Sequence, residues 1–280
     1  MIAQLVDVRK NYGTRAALDG VTLGIARGEL VALLGANGAG KTTTLEILLG
    51  LRRQDSGTVQ LAAASTGVTP QETGMPQNLR VGEILEFVVS HYRTNRAQEV
   101  LEAFGLSASV KRQTGALSGG QLRRLALALA FAGEPELVVL DEPTTGLDVE
   151  ARRSAWSYVR SYVQRGGTVL LTTHHMEEAE ALADRILVMS AGRIVHEGTP
   201  AQIRRSVTAK RVTYEGAPFD PAAYGIEAVV ESNGSRVTIL TPETDELVRA
   251  MVLNGVKFAE LAVSEASLED AVLALTAGPQ

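Results

Sequence analysis

The sequence contains no cysteine among its 280 residues. This absence excludes a disulfide framework and a thiolate metal site, and it fits a reducing compartment. There is also no excess of basic charge, since 27 lysines and arginines are interspersed with 32 acidic residues for a formal net charge of −5. Such a balance argues against a nucleic-acid-binding surface as the main function.

Long hydrophobic runs are missing as well. A bilayer-spanning helix needs roughly 18–20 predominantly apolar residues. The nearest candidate, LRRLALALAFAG, is too short and carries Arg123 and Arg124. The N-terminal residues MIAQLVDVRKNYG lack the basic start and apolar centre of a signal peptide. We therefore expect a soluble protein that would serve a membrane only through a partner.

Short β-rich runs alternate with helical patterns along the first two thirds of the chain. The predicted strands are GELVALLG (28–35), ELVVLDEP (136–143), GTVLLTTH (167–174) and RILVMS (185–190). Continuous apolar strands that alternate with helices are typical of a parallel sheet covered on both faces. We therefore predict an α/β fold. Residues 71–134 contain no β-rich run, and we interpret them as a helical insert in the sheet domain.

The pattern changes after residues 198–206. Three short runs typical of antiparallel strands are followed by a helical pattern, one more strand and a terminal amphipathic helix, SLEDAVLALTAG. A length of 280 residues, 45% of them hydrophobic, suffices for one large domain and one small one. We predict a sheet domain over residues 1–205 and a small accessory α+β domain over 206–280.

Residues 35–42, GANGAGKT, match the phosphate-binding pattern GxxxxGK[ST] between a predicted strand and a predicted helix. Glycines let such a loop curl so that its N–H groups point at phosphate oxygens. The residues assigned to phosphate binding are Gly35, Ala36, Asn37, Gly38, Ala39, Gly40, Lys41 and Thr42. Lys41 would reach the β- and γ-phosphates, and the Thr42 hydroxyl would coordinate Mg²⁺. A chance match in a glycine-rich turn is the alternative.

Two adjacent carboxylates end the predicted strand VVLDE. Neighbouring residues of a strand point to opposite sides. Asp141 could thus face Mg²⁺, while Glu142 polarises a water for attack on the γ-phosphate. The alternative is a solvated acidic turn before Pro143.

A second anion-binding pattern occurs far from the first. Residues 117–121, LSGGQ, stand at the start of a predicted helix, where a capping serine and free N–H groups favour an anion. One nucleotide needs only one phosphate-binding loop. The segment is therefore either an ordinary capped helix or a site for the γ-phosphate of a nucleotide held by another copy of the chain.

Over about residues 1–200, the sequence resembles the ATP-binding-cassette (ABC) transporter ATPases. The resemblance lies in GANGAGKT, LSGGQ, VVLDEP, GLD and TTHH, in that order, and other P-loop families lack LSGGQ at this place. It implies a P-loop ATPase core with a parallel sheet, an N-terminal antiparallel β subdomain and a helical insert. A short segment between Thr58 and Gly67 departs from the family pattern and leaves the edge of the antiparallel subdomain undefined.

The resemblance also implies roles for single residues. Tyr12 would stack on adenine, Gln71 would touch Mg²⁺ and move the helical insert, and His174 would contact the γ-phosphate. The implied nucleotide-binding set further contains Thr43, Ser118, Gly119, Gly120, Gln121 and Asp148. His175 should face away from His174, because neighbours on an extended segment point in opposite directions. A metal site at this pair lacks a third ligand.

The functional expectation is an ATP- and Mg²⁺-dependent motor subunit of an exporter. Its C-terminal region is similar to that of bacterial drug- and lipid-exporter ATPases. The implied partners are a membrane permease, docked at residues 72–100, and a second ATPase chain in a head-to-tail dimer. The location would be peripheral, on the cytoplasmic face of the cell membrane. The alternatives are a soluble ABC ATPase acting on nucleic acid or ribosomes, and a P-loop kinase, which leaves LSGGQ unexplained.

Overall fold

The computed structural model describes residues 1–70, 74–206 and 209–276. Its strands are β1 (Ala3–Tyr12), β2 (Arg15–Ile25), β3 (Leu30–Leu34), β4 (Ser56–Leu61), β5 (Thr66–Thr69), β6 (Leu137–Asp141), β7 (Thr168–Thr173), β8 (Arg185–Ser190), β9 (Arg193–Gly198), β10 (Lys210–Gly216), β11 (Val229–Asn233), β12 (Arg236–Thr241) and β13 (Phe258–Glu265). Its α-helices are α1 (Lys41–Leu48), α2 (Val81–Val89), α3 (Ala97–Ala103), α4 (Gly119–Phe131), α5 (Val149–Gln164), α6 (Met176–Leu182), α7 (Pro200–Arg205), α8 (Thr244–Leu253) and α9 (Leu268–Thr276).

The chain divides into two compact units, Met1–Thr199 and Pro200–Gln280. The boundary predicted from the sequence, between residues 205 and 206, differs from this division only in the placement of α7. In the part of the chain that the structure describes, no helix is both long enough and apolar enough to cross a membrane.

The first unit is built around a six-stranded sheet of order β5-β6-β7-β3-β8-β9. All neighbouring strands in it are parallel except β8 and β9. Every residue of β3, β6 and β7 is buried, which agrees with their nearly continuous apolar sequences. The predicted α/β architecture is thereby confirmed. Because these strands are parallel, the loops after them meet at one edge of the sheet, where ligands bind in open α/β folds.

A three-stranded antiparallel sheet of order β2-β1-β4 forms the predicted N-terminal β subdomain. The short segment between Thr58 and Gly67 does not remove its edge, because β4 pairs with β1. The same segment leads into β5, a strand that the sequence did not predict. A Cβ on Gly67 would lie 1.9 Å from the Ala130 carbonyl oxygen of α4, so close packing of the helix requires glycine there. That glycine weakens the strand signal.

Three helices, α2, α3 and α4, occupy the stretch interpreted as a helical insert. Its described residues, 74–134, contain one isolated β-bridge, between Arg80 and Gln113, and no named strand. Phe104 and Phe131 pack against Tyr158 and Tyr162 of α5, with ring centroids 5.0–5.3 Å apart in the tilted and edge-on pairs. These aromatic contacts attach α4 to the helix that covers the main sheet.

The second unit contains an antiparallel sheet of order β11-β12-β10-β13 and the helix α8. Its core consists of Val212, Tyr214, Phe219, Ile226, Val237, Ile239, Leu247 and Met251. Arg211 of β10 makes a two-bond ion pair with Asp270 of α9, at 2.9 and 2.6 Å. Burial tends to raise the pKa of Asp270, but the hydrogen bonds from Arg211 and Ser267 outweigh it, so the pKa is lowered.

This ion pair gives a prediction about stability. A carboxyl whose pKa is lower in the folded state stabilises the fold above its unfolded pKa of about 3.9, and the effect is lost as pH falls through the folded value. At pH 7, Asp270→Asn should lower the free energy of unfolding of the second unit by about 2–4 kcal/mol. The difference from wild type should shrink as pH falls below about 4.

Scanning calorimetry of the full chain over a pH series measures both effects. The matched control is Asp245→Asn, at an exposed position of α8 in the same unit. A pH-independent difference, or an equal loss in the control, would contradict this account of the pair.

Candidate nucleotide-binding site

The loop over residues 35–40 joins β3 to α1 and encloses an anion-binding helix start. Gly38 and Gly40 have φ values of 81° and 110°, which favour glycine strongly. A Cβ on Gly40 would lie 2.6 Å from the carbonyl oxygen of Ala17. The loop therefore turns tightly onto the first turn of α1, whose leading N–H groups have no partner within the helix. Those groups and the helix dipole favour a phosphate.

A cavity of about 460 Å³ opens at this loop, which is within the usual range for small-molecule sites. It is lined by Tyr12, Arg15, Ala17, Asn37, Gly38, Gly40, Lys41, Thr42, Thr43 and Glu142. Arg15 and Ala17 were not predicted. They follow Tyr12 across the hairpin between β1 and β2, and the only signal for them in the sequence is that proximity.

Tyr12 stands at the rim of the cavity with 44% of its surface exposed. The Arg52 guanidinium carbon lies 5.3 Å from the ring centroid, and the Lys10 ammonium lies 5.9 Å from it. Arg52 is itself bound to Glu46 of α1, at 2.5 Å. The cavity lining includes Tyr12 but neither cation. An exposed aromatic ring at the rim of the cavity is suited to stacking on a base.

Lys41 is only 6% exposed, and its ammonium donates to the carbonyl oxygens of Gly35 and Ala36 at 2.7 and 3.2 Å. Its nitrogen lies 3.8 Å from Glu142 Oε1. Burial lowers the pKa of Lys41, although the charges of Glu142 and Asp141 oppose this shift. The ammonium would therefore be stabilised further by the negative charge of a bound phosphate.

Asp141 ends β6 beside the loop and is only 6% exposed. Its Oδ2 accepts a hydrogen bond from the Thr42 hydroxyl at 3.0 Å, and its Oδ1 accepts one from the Thr172 hydroxyl. Thr172, on the neighbouring strand β7, was not predicted. Its strand was predicted, but the sequence does not single out this threonine, because its burial beside Asp141 depends on the pairing of β6 with β7.

Strand alternation suggested that Glu142 would point away from Asp141, but it does not. The strand ends at Asp141, and Glu142 has a φ of 48°, a left-handed conformation that costs a non-glycine residue about 1–3 kcal/mol. The turn brings its carboxylate to the same edge, 3.8 Å from the Lys41 ammonium and 3.2 Å from His174 Nδ1. Both carboxylates therefore contact residues at the start of α1.

The expectation that His174 and His175 face opposite ways is wrong. Their ring centroids lie 4.1 Å apart with the planes inclined by 40°. The reason is that β7 ends at Thr173 and the chain bends at His174, just before the start of α6, so the alternation of a regular strand no longer applies. Burial, followed by the neighbouring His174, lowers the pKa of His175. Of the two histidines, His174 is the one whose ring nitrogen is paired with Glu142 among the described residues.

The LSGGQ segment forms a capping box at the start of α4. Ser118 Oγ accepts from the Gln121 N–H at 3.3 Å, and Gln121 Oε1 accepts from the Ser118 N–H at 3.0 Å. Ser118 and Gly119 are exposed, and residues 118–121 do not belong to the lining of the cavity in the described chain. Asp148 is likewise outside that lining, and it caps α5 by accepting from the Ala151 N–H at 2.8 Å.

Oxygen ligands suited to Mg²⁺ are present beside the loop. Thr42 and Asp141 place a hydroxyl and a carboxylate 3.0 Å apart, and Mg²⁺ in phosphate sites takes one or two protein oxygens together with substrate phosphates. Gln71, the third predicted ligand, lies outside the described residues. Among residues 1–70, 74–206 and 209–276, no group of three or more histidine or acidic side chains could hold a metal alone.

Comparisons with known proteins agree with this geometry. The profile of the ABC transporter family matches residues 18–145. The Nod factor export ATP-binding protein I of Paraburkholderia xenovorans (strain LB400) is 41% identical over 70% of each chain. The daunorubicin resistance ATP-binding protein DrrA3 of Streptomyces coeruleorubidus is 35% identical over 95% of this chain and 93% of its own.

Solved structures give the same result. A structure of the ATP-binding subunit of an ABC transporter is 27% identical, with a TM-score of 0.69, over 74% of this chain and 93% of its own. A dimeric ATP-binding cassette in a post-hydrolysis state, bound to ADP and Pi, is 26% identical, with a TM-score of 0.65, over 70% of this chain and 98% of its own. The relatives named above lend no support to the alternative of an ATPase acting on nucleic acid or ribosomes.

Proposed function

The chain belongs to the ABC transporter family as an ATP-hydrolysing subunit, and from this premise we propose that it drives a membrane exporter through a separate permease. The observation that carries the proposal is the convergence of Lys41, Glu142 and His174 at one end of the phosphate-binding loop. Export is inferred from relatives that are named for Nod factor export and daunorubicin resistance.

In the proposed reaction, the adenine of ATP stacks on Tyr12 and the phosphates lie on the N–H groups of residues 38–43. Lys41 neutralises charge on the β- and γ-phosphates. Water attacks the γ-phosphorus while the bond from that phosphorus to the β,γ-bridging oxygen breaks, so that ADP leaves, and Glu142 accepts a proton from the water. His174, whose Nδ1 lies 3.2 Å from the Glu142 carboxylate, would contact the γ-phosphate and orient that carboxylate.

Thr42 and Asp141 would hold Mg²⁺, with Gln71 as the third protein ligand. When bound, the ion neutralises the charge that develops on the phosphate oxygens during transfer. Asp141 accepts hydrogen bonds from the hydroxyls of Thr42 and Thr172, which fix its carboxylate beside the loop. This fixed position supports Asp141 as a preorganised ligand.

Two copies of the chain would share each nucleotide. Residues 118–121 present an exposed, capped helix start that lies outside the lining of the chain's own cavity. In a head-to-tail pair, Ser118, Gly119, Gly120 and Gln121 of one copy would close over the γ-phosphate held by the other, with Asp148 close to the same interface. A two-fold axis produces two such sites together. ATP would stabilise this closed pair, and hydrolysis would release it.

The permease would dock on α2, within residues 72–100. Of the apolar residues of α2, Ile84 and Leu85 are buried, at 8% and 2% exposure, whereas Phe87 is 66% exposed. Phe87 stacks edge-on against His91, 4.8 Å away, so its ring is held at the surface. Such docking would place the chain at the cytoplasmic face of the membrane, and the accessory domain would regulate or support the pair.

The first prediction from this mechanism concerns the proposed base. Glu142→Gln preserves the shape of the side chain but cannot accept a proton. It should lower kcat for ATP hydrolysis by about 10²–10⁴-fold while ATP affinity stays near that of wild type. Steady-state phosphate release and equilibrium ATP binding measure the two quantities. Near-normal hydrolysis by the variant would remove Glu142 from this role.

The second prediction concerns the permease. Because the chain lacks cysteine, a single introduced cysteine is the only thiol that can be cross-linked. In membranes containing the permease, Phe87→Cys should form cross-links to it through a short bifunctional reagent. Val252→Cys, at a position 59% exposed in the second unit, is the control. Cross-links from position 252 alone would contradict docking on α2.

A further inference from the structure

Arg123 of α4 is buried on the apolar side of its helix, where a charged side chain is unexpected. Arg123 is 6% exposed and follows Gln121, the last residue of LSGGQ, by two positions. Leu127 and Ala130, which lie on the same helix face by their spacing, are also buried. A charged side chain within an apolar stripe is retained only where it is bound by polar partners.

Among the described residues, Arg123 binds main-chain carbonyl oxygens at the ends of two neighbouring strands. Its Nη1 donates to Pro70 at 2.7 Å, directly after β5. Its Nη2 donates to Asp141 at 2.6 Å and to Glu142, and its Nε donates to Pro143 at 2.9 Å. One guanidinium thus joins α4, which begins at LSGGQ, to two other segments. One segment ends β5 at Pro70, and the other contains Glu142, the proposed base.

These bonds need arginine in particular. The guanidinium is a planar fork with five N–H donors, whereas a lysine ammonium concentrates three donors at one point. Burial lowers the pKa of Arg123, and the charges of Asp141, Glu142 and Glu178 oppose that shift. Since an arginine remains protonated in proteins, all its donors stay available.

Arg123 binds the main chain of a residue whose backbone is in the left-handed region. Glu142 has a φ of 48°. Its N–H donates to the carbonyl and hydroxyl oxygens of Thr172, at 3.0 and 3.2 Å. Its carbonyl accepts from Arg123 and, at 3.3 Å, from the Thr145 N–H. The left-handed turn that directs the carboxylate toward Lys41 is therefore held from both sides, and Arg123 supplies the charged donor.

We propose that Arg123 is a positioning residue, which holds Glu142 in its catalytic orientation and links that orientation to the LSGGQ helix and to the segment at Pro70. This inference rests on the proposed role of Glu142. A shift of the first turn of α4, as when its capped end meets a nucleotide, moves Arg123 with the helix. The same shift then acts on the Glu142 peptide, so engagement at one nucleotide would adjust hydrolysis at the other.

The test compares Arg123→Gln, which is neutral, with Arg123→Lys, which keeps the charge and part of the donor set. The phosphate-binding loop is untouched, so the Kd for ATP should stay within about twofold of wild type. Because a displacement of about 1 Å can cost 10²-fold in rate, kcat per nucleotide-binding site should fall by about 10–100-fold in the glutamine variant. The lysine variant should lie between it and wild type.

A double-mutant cycle with Glu142→Gln separates positioning from a general loss of structure. If Arg123 acts through Glu142, adding Arg123→Gln to the Glu142→Gln chain should change its residual single-turnover rate by less than about twofold. Arg185→Gln is the matched control, because Arg185 also donates to Glu29 and to the Gly24 carbonyl within the first unit. It should lower the melting temperature without lowering kcat per binding site.

Three results would overturn the proposal. They are an unchanged kcat in Arg123→Gln, a rate loss that adds fully to that of Glu142→Gln, and a rise in Kd that equals the fall in kcat. If the glutamine variant does not fold, the lysine variant carries the same comparisons. Near-normal hydrolysis by Glu142→Gln alone would instead reject the proposed base, and that result is read independently of any Arg123 variant.

Discussion

The buried contact between Lys41 and the carboxylates behind it governs the rest of the site. At 3.8 Å and an effective dielectric constant of about 20, Lys41 and Glu142 attract each other by about 4 kcal/mol. The pKa of Lys41 is nevertheless lowered, so burial destabilises the ammonium more than the charges of Glu142 and Asp141 stabilise it. A polyphosphate would supply the missing negative charge. The loop, the strand ends and the helix start surround this buried ammonium, which needs further negative charge.

Much of this arrangement could be predicted because it depends on neighbours in sequence. GANGAGKT specifies its own curl, and a fully apolar strand before DE indicates where the carboxylates emerge. LSGGQ also caps its own helix, as Ser118 and Gln121 show. In these segments, the residue types that make the chemistry possible also set the local backbone, so the pattern alone is informative.

The remaining features depend on contacts between distant segments. Strand alternation gave the wrong direction for Glu142 and for His175, because each lies just beyond a strand end, where tertiary contacts determine the backbone. β5 was missed because close packing against α4 requires glycine at position 67, and glycine has a low strand propensity. Arg15 reaches the cavity through the hairpin between β1 and β2, and Thr172 contacts Asp141 from the adjacent strand. Arg123 binds carbonyl oxygens of segments that are distant in sequence.

We propose that LSGGQ acts on a nucleotide bound by another copy of the chain. The most direct test mixes two variants in a Glu142→Gln background. One carries Lys41→Ala, which lacks the phosphate contact, and the other carries Ser118→Arg, which blocks the capped helix start. Each alone should trap almost no ATP, whereas mixed dimers keep one intact composite site and should trap about one nucleotide per pair. Mixed dimers that form but trap no more ATP than the separate variants would contradict the account.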